Sequence, residues 1–317
     1  MSTSWWEPPG GRRLPAAGAD TTPRRPYAVD GTLIVGVDGS RSSLRALDWA
    51  ADEAARGALP LRIVHASGWE WYEGHEPSFG INREAVRAQA DRVLAAAKAR
   101  AGERDRSLDV TSEVLDEDPA AALIRESRQA AGVIVGSRGR GRLAGLLLGS
   151  VSLSVAARAS CPVTVVRGGE QSLRGGFRRV VVGVDEAAGA AAAVGYAVRA
   201  AQQRDTELLA VHAWRRPVPE TTGGPRPAGA ADPRRLRAER ELDAALRSAV
   251  RDHGAVAVRH EAVEGQARAA LLDASAAADL IVVGARRRPG HTGLQLGPVN
   301  HAVLHHAACP VTVVPHA

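Results

Sequence analysis

The sequence predicts an α/β protein with two tandem domains, each an open, parallel, five-stranded sheet flanked by helices. Three observations lead to this fold class. The chain has 317 residues, enough for two domains of about 150 residues each. Several segments recur at a constant spacing along the chain. Within each copy, short runs rich in valine and isoleucine alternate with alanine-rich amphipathic segments, which is typical of a parallel sheet covered by helices.

The internal repeat defines the domain organisation. Three segments recur 147 or 148 residues later: LIVGVD at 33–38 as VVVGVD at 180–185, VIVG at 133–136 as IVVG at 281–284, and CPVTVV at 161–166 unchanged at 309–314. Such self-similarity indicates two homologous domains. We therefore predict a disordered N-terminal tail at residues 1–28, a first domain at 29–167, a linker at 168–177 and a second domain at 178–317.

The order of elements is the same in both copies. In the first copy we predict strands at 32–37, 61–66, 109–114, 132–136 and 162–166, and helices at 41–56, 82–101, 118–130 and 149–159. Asp118 followed by Pro119 marks a helix start, because aspartate is a good N-cap and the first helical position needs no N–H. In the second copy we predict strands at 179–184, 207–212, 256–262, 279–283 and 310–314, with a Pro- and Gly-rich loop at 217–233.

Composition limits the classes of partner. No apolar run reaches the length of a membrane helix, and the N-terminus lacks the apolar centre of a secretory signal, so we expect a cytoplasmic protein without a membrane partner. Cys161 and Cys309 occupy equivalent positions in the two copies, which indicates buried thiols in a reducing compartment. The net charge of +6 could favour nucleic acid, but basic residues are scattered and aromatic residues are only 3%, so nucleic acid is not expected.

Two segments of the first copy are placed to bind a ligand. Open α/β sheets bind ligands outside the carboxyl ends of their strands, where the strand order reverses. The first predicted strand ends at Gly36 and is followed by Val37 and the carboxylate of Asp38. The fourth predicted strand is followed by a segment that is unusually rich in glycine, with glycines at 136, 139, 141, 145 and 149. Glycine permits positive φ angles and close approach of the backbone to a ligand.

The glycine-rich segment has the charge pattern of a polyphosphate site. It runs into a helix that begins near Ser150, and free N–H groups at a helix start attract anions. The hydroxyl groups of Ser150 and Ser152 could add donors. No acidic residue occurs between Glu126 and Glu170, and three arginines lie in the segment: Arg138, Arg140 and Arg142. The pattern predicts a cradle for phosphates.

Other nucleotide-binding motifs do not fit this sequence. A P-loop needs a lysine after its glycines, and Lys98, the only lysine, lies in a predicted helix. Residues 139–144 match the Rossmann pattern GxGxxA formally. That match follows the fourth strand rather than the first, and no acidic residue follows at the spacing that the ribose contact requires. We interpret it as a coincidence.

The spacing Gly136-x2-Gly139-x9-Gly149-Ser150 resembles the ATP-binding signature of the universal stress protein family. The VGVD segment and the closing CPVTVV strand resemble the rest of that domain, so the resemblance covers both copies from about residue 29 onward. It implies a fold of the adenine-nucleotide alpha hydrolase type with strand order 3-2-1-4-5. It also implies that adenosine binds near the ends of the first two strands.

The resemblance implies specific ATP contacts. Gly36, Val37 and Asp38 would contact the nucleoside, and Val64 or His65 would lie beside the adenine. The implied phosphate-binding residues are Gly136, Ser137, Arg138, Gly139, Arg140, Gly141, Gly149, Ser150, Val151 and Ser152. Asp38 could contact the ribose or a Mg²⁺ ion held mainly by the phosphates, since magnesium usually takes few protein ligands. The alternative is that Asp38 only caps the following turn.

The second copy departs from the signature at two positions. Arg287 stands in place of the glycine, and Pro298 in place of the serine, which removes a hydroxyl and a backbone N–H. These changes favour a structural role, although arginines 286–288 could still engage a phosphate, so nucleotide binding in this domain stays open. His301 and His305, one turn apart on the last predicted helix, could hold a metal, but no third ligand is evident.

The function that the sequence favours is a nucleotide-dependent sensor or regulator in the stress response. Hydrolysis of ATP usually requires several metal-holding carboxylates and a base, and the cradle offers only Asp38, so we assign no catalytic residue and expect little or no hydrolysis. The alternatives are a slow ATP hydrolase or nucleotidyl-transfer enzyme on the same fold, and a scaffold without a ligand. By family resemblance we also expect the closing strands, 163–166 and 311–314, to pair between domains or chains, and we expect a homodimer and an unidentified regulatory protein as partners.

Overall fold

The computed structural model describes residues 31–67, 83–139, 148–185, 187–215, 233–253, 256–287 and 294–316. The predicted N-terminal tail and the Pro- and Gly-rich loop up to residue 232 lie outside these ranges. Within them, the first domain contains β1 (Thr32–Gly36), α1 (Arg41–Gly57), β2 (Leu61–Ala66), α2 (Arg83–Arg104), β3 (Val110–Leu115), α3 (Pro119–Glu126), β4 (Ala130–Gly136), α4 (Ser150–Arg158) and β5 (Val163–Val166).

Side-chain caps fix the starts of two helices in the first domain. Ser40 caps α1, its Oγ accepting a hydrogen bond of 3.2 Å from Ser43 N. Asp118 caps α3 as predicted, with its Oδ1 accepting from Ala121 N at 2.9 Å. The predicted end of α3 at residue 130 is wrong, because α3 ends at Glu126 and β4 already begins at Ala130.

The second domain repeats this order with two additions. Its elements are α5 (Glu170–Leu173), β6 (Arg179–Gly183), α6 (Ala187–Arg204), β7 (Glu207–Trp214), α7 (Pro233–His253), β8 (Val258–Glu264), α8 (Ala267–Ser275), β9 (Leu280–Arg287), β10 (Leu294–Gln295), α9 (Pro298–His306) and β11 (Val311–His316). The short helix α5 lies in the segment predicted as a linker, and the sequence did not predict β10, which pairs antiparallel with β9.

The two domains share one continuous sheet. The strand order is β3-β2-β1-β4-β5 in the first domain and β8-β7-β6-β9-β11 in the second, so the order 3-2-1-4-5 is confirmed in both. All pairs within these two sets are parallel. The closing strands β5 and β11 pair antiparallel, with Thr164 opposite Thr312 and their Oγ1 atoms 2.8 Å apart.

The two closing strands, β5 and β11, pair with each other between the two domains of one chain. Thr164 and Thr312 are equivalent positions of the repeat, so an approximate twofold axis passes between them. Each closing strand has a neighbour on both sides, β4 and β11 for β5, and β5 and β9 for β11. A homodimer would therefore need a surface other than these two strands.

The core lies on both faces of the sheet. The central strands carry β-branched residues that are almost fully buried, as expected for parallel strands covered by helices. Cys161 and Cys309 are buried thiols, as predicted, and burial raises the pKa of Cys309 to about 12. In the described part of the chain, no helix is long and apolar enough to cross a membrane.

Candidate functional site

A cavity of about 330 Å³ opens at the carboxyl ends of β1, β2 and β4 in the first domain. The strand order reverses at this point, since β2 lies on one side of β1 and β4 lies on the other. Eleven of the residues that the sequence analysis selected line the cavity: Gly36, Val37, Asp38, Val64, Gly136, Arg138, Gly139, Gly149, Ser150, Val151 and Ser152.

Two of the predicted glycines lie where an added Cβ would come very close to the segment after β1 or to the start of α1. A Cβ at Gly136 would lie 2.7 Å from the carbonyl oxygen of Ser42, at the start of α1. A Cβ at Gly139 would lie 2.8 Å from Oδ2 of Asp38. Both distances are shorter than real Cβ contacts allow. The glycines therefore let the segment after β4 pack directly against the segment after β1.

The two carboxylate oxygens of Asp38 have different surroundings. Oδ1 accepts a hydrogen bond of 2.9 Å from Ser40 N, so the capping role that we considered as an alternative is present. Oδ2 lies on the side of Gly139, and the residue lines the cavity. The backbone N–H of Asp38 donates to Ser43 Oγ at 3.2 Å, which fixes the start of the turn. The carboxylate is thus held in place by its own turn.

The start of α4 presents backbone donors to the cavity. Gly149 is the N-cap in an extended conformation, and no side chain caps this helix. The first N–H groups of an α-helix have no partner within the helix, and here they belong to Ser150, Val151 and Ser152, all of which line the cavity. Together with the helix dipole, they make this end of the cavity favourable for an anion.

Ser152, whose hydroxyl we predicted as a possible phosphate donor, donates within the chain in this structure. Its Oγ is buried and donates a hydrogen bond of 2.6 Å to the carbonyl oxygen of Gly136. A hydroxyl has one proton to donate, so this bond uses it. The bond ties α4 to the end of β4. Similarly, Arg138 N donates to Ser42 Oγ at 3.2 Å and ties the same segment to α1.

Several predicted residues lie elsewhere. Ser137 does not line the cavity; its N–H donates to Val166 O at 3.1 Å and its carbonyl accepts from Gly149 N at 2.8 Å. His65 is also outside the lining, and its Nδ1 lies 2.7 Å from Val37 O. Side chains alternate along a strand, so Val64 faces the cavity and its neighbour does not. Arg140 and Gly141 lie outside the described residues.

Six further residues line the cavity that we did not predict from the sequence, and five of them are apolar. The additional lining residues are Ser43, Ala66, Pro119, Leu123, Val135 and Leu148. Pro119 and Leu123 are one turn apart on α3, and this spacing was a signal in the sequence that we did not use. The result is a cavity with an apolar end and a polar end, suited to a flat ring at one and an anion at the other.

The second domain keeps the framework of this site but changes the cradle. Asn300 Nδ2 donates to Gly284 O at 3.0 Å, which reproduces the bond between Ser152 and Gly136. After Gly284, however, β9 continues to Arg287 and pairs with β10, so Arg287 lies in a strand. Pro298 is the first residue of α9 and supplies no N–H. The described part of this domain therefore does not reproduce the glycine loop.

The histidines on α9 form a surface cluster. The rings of His301 and His305 are stacked, with centroids 6.4 Å apart. Burial, followed by the charges of His306, His301 and Arg167, lowers the pKa of His305. Across the residues that the structure describes, no group of three or more His, Cys, Asp or Glu side chains could hold a metal ion.

The sequence profile of the Universal stress protein family matches the chain twice, at residues 31–167 and 176–315. The chain belongs to the universal stress protein family. It is a tandem member, since the two matches correspond to the two halves of the sheet. The resemblance and the fold class predicted from the sequence are therefore confirmed.

The chain is similar to several known universal stress proteins. Universal stress protein Rv2005c from Mycobacterium tuberculosis is 36% identical over 300 residues, covering 92% of this chain and 98% of the relative. The crystal structure of a universal stress protein from Archaeoglobus fulgidus has a TM-score of 0.65 at 18% identity, covering 90% of this chain and 98% of that chain. A universal stress protein solved in complex with cAMP is 31% identical, covering 43% of this chain and 95% of its own, with a TM-score of 0.34.

Proposed function

We propose that the protein binds one ATP in the cavity of the first domain and acts as a nucleotide-dependent sensor or regulator in the stress response. The observation that carries this proposal is the convergence of the α4 start, Gly139 and the Asp38 carboxylate on one cavity. The apolar end near Val64 and Leu123 suits an adenine ring, and the end near Ser150 suits the phosphates.

The proposed site suits a magnesium ion that is bound mainly by the phosphates of ATP. Magnesium ions in nucleotide sites are usually held by one or two carboxylates together with phosphate oxygens. Asp38 supplies one carboxylate, whose Oδ1 is engaged by Ser40 N and whose Oδ2 lies on the side of Gly139. Asp38 would hold the ion through Oδ2, and the ion would neutralise charge on the phosphates.

Hydrolysis is not part of the proposed function. Among the described residues that line the cavity, Asp38 is the only one with a carboxylate, and one of its oxygens already caps a turn. Phosphoryl transfer to water needs a group that orients the attacking water in addition to the metal ligands. The proposal therefore describes a binding protein. It also places the protein in the cytoplasm, where the buried thiols of Cys161 and Cys309 stay reduced.

Calorimetric titration of the purified protein with ATP, with and without magnesium, tests this proposal. We expect saturable binding, a strong preference for ATP over AMP, and weaker binding of magnesium–ATP by the Asp38→Asn variant. Turnover of ATP should stay below about 1 s⁻¹, at the low end of the enzyme range. Absence of binding at millimolar ATP would leave a scaffold without a ligand, and faster turnover would establish an enzyme.

A further inference from the structure

A second cavity, of about 120 Å³, lies where the two domains meet, and we call it the junction cavity. Its lining includes Arg56 of α1, Arg174 and Arg178 of the segment between the domains, and Arg204 at the end of α6. Thr206 and Asp279, which lie just before β7 and β9, also line it. It therefore lies at the amino ends of the second domain's strands, whereas the proposed nucleotide site lies at the carboxyl ends of the first domain's strands.

The lining of the junction cavity is rich in arginine. Four arginines and one carboxylate, that of Asp279, contribute to it. Both oxygens of Asp279 accept backbone hydrogen bonds, Oδ1 from Phe177 N at 3.0 Å and Oδ2 from Arg179 N at 3.1 Å. Asp279 is 2% exposed and holds the turn before β6. Its carboxylate is thus committed to the backbone.

Two arginines of the junction cavity, Arg56 and Arg204, share one carboxylate beside it. Arg56 Nη1 and Arg204 Nη2 lie 2.5 Å and 2.6 Å from the two oxygens of one carboxylate, that of Glu53. The Arg204 side chain is 8% exposed, and its guanidinium lies over the ring of Trp49 at 5.6 Å. Two guanidinium groups share a single carboxylate here. Two positive charges face one negative charge, so the three side chains carry one surplus positive charge, which a further anion would balance.

The outer rim of the junction cavity has arginines with weak partners. Arg174 pairs with Glu170 at 3.2 Å and Arg178 pairs with Asp205 at 3.3 Å, and all four side chains are well exposed. Exposed ion pairs of this kind contribute little to stability, so an incoming anion competes with them easily. Arg178 also has a φ of 52°, although it does not end a helix. Such strain in a non-glycine residue is often found at binding sites.

We propose that the junction cavity binds a phosphate group, carried by inorganic phosphate or by a small phosphate monoester. Guanidinium groups match the geometry and charge of phosphate oxygens. Arg56 belongs to the first domain, Arg174 to the connecting segment and Arg204 to the second domain, and all three line this one cavity. Bound phosphate would stabilise the contact between the two domains. This inference does not depend on ATP binding in the first domain.

The test is a calorimetric titration with inorganic phosphate and, separately, with glycerol phosphate. It is run at low ionic strength, where exposed charges are screened least. The test variant is the double substitution Arg174→Gln and Arg178→Gln, which removes two exposed side chains of the rim. The matched control is Arg106→Gln with Arg128→Gln, which removes two exposed arginines that do not line the cavity.

We expect saturable binding of at least one probe to the native protein, weakened at least tenfold in the rim variant and unchanged in the control. Tighter binding of glycerol phosphate than of inorganic phosphate would identify a monoester as the ligand, and the reverse order would identify free phosphate. Absence of saturable binding of both probes, or equal weakening in the control, would overturn the proposal. ATP binding measured on the same samples separates this result from the proposed function, because the rim variant should bind ATP normally.

Discussion

The close approach between Gly136 and the start of α1 makes a quantitative prediction for Gly136→Ala. The new Cβ would lie 2.7 Å from both the carbonyl oxygen and the Oγ of Ser42. Ordinary contact begins at 3.4 Å, so the end of β4 and the start of α1 must separate by about 0.7 Å. The carbonyl is backbone and cannot rotate away. Overpacking of this kind usually costs about 1–3 kcal/mol, and we expect a loss of that size in the free energy of unfolding.

Gly284→Ala is the matched control, since Gly284 is the equivalent position in the second domain. There the new Cβ would meet the ring of His316 at 3.3 Å and Ala193 Cβ at 3.7 Å. A side-chain ring can shift by a few tenths of an ångström, and alanine restricts the unfolded chain more than glycine does. We expect a change within about 1 kcal/mol, of either sign. Urea unfolding followed by circular dichroism measures both variants, and equal stability of the two would refute the reasoning.

Three further predictions test individual contacts. Ser152→Ala leaves the buried carbonyl of Gly136 without its hydroxyl donor, so unfolding experiments should show a loss of about 1–3 kcal/mol. Glu53→Gln removes the carboxylate that pairs with the buried Arg204, and the same assay should show a loss of about 3 kcal/mol; a change below 1 kcal/mol would mean that the pair is unimportant. The pKa of Cys309, near 12, keeps its thiol protonated at neutral pH. Iodoacetamide should therefore leave Cys309 unmodified in the native protein and modify it in urea. Mass spectrometry detects the mass added by the modification.

The framework of the fold was predictable because its signals are local. Residues 180–182, for example, are three consecutive valines, and such a run of β-branched residues is typical of strands buried on both faces. The Asp118 cap followed by Pro119 likewise specifies a helix start within a few residues. The repeat then extended each local prediction to the second domain.

The parts of the site that were missed depend on contacts between distant residues. Ser152 at a helix start can donate to a ligand or to the chain itself, and only the packing of α4 against β4 directs its hydroxyl to Gly136. The sequence shows that Arg287 replaces the glycine of the signature, but it does not show that Arg287 lies in a strand. That placement depends on the pairing of β9 with β10. The junction cavity joins side chains from four separate segments, so no local pattern predicts it.

Native mass spectrometry of the protein with ATP tests the central claim most directly, because it counts the nucleotides bound to each chain. The two variants are Gly139→Ala, which places a Cβ 2.8 Å from Asp38 Oδ2, and Gly297→Ala in the second domain. At Gly297 the described residues, apart from the two chain neighbours, have no atom within 4 Å of the new Cβ. We predict one ATP on the native chain, one on Gly297→Ala and none on Gly139→Ala. Two nucleotides per native chain, or unchanged binding by Gly139→Ala, would contradict a single ATP site in the first domain.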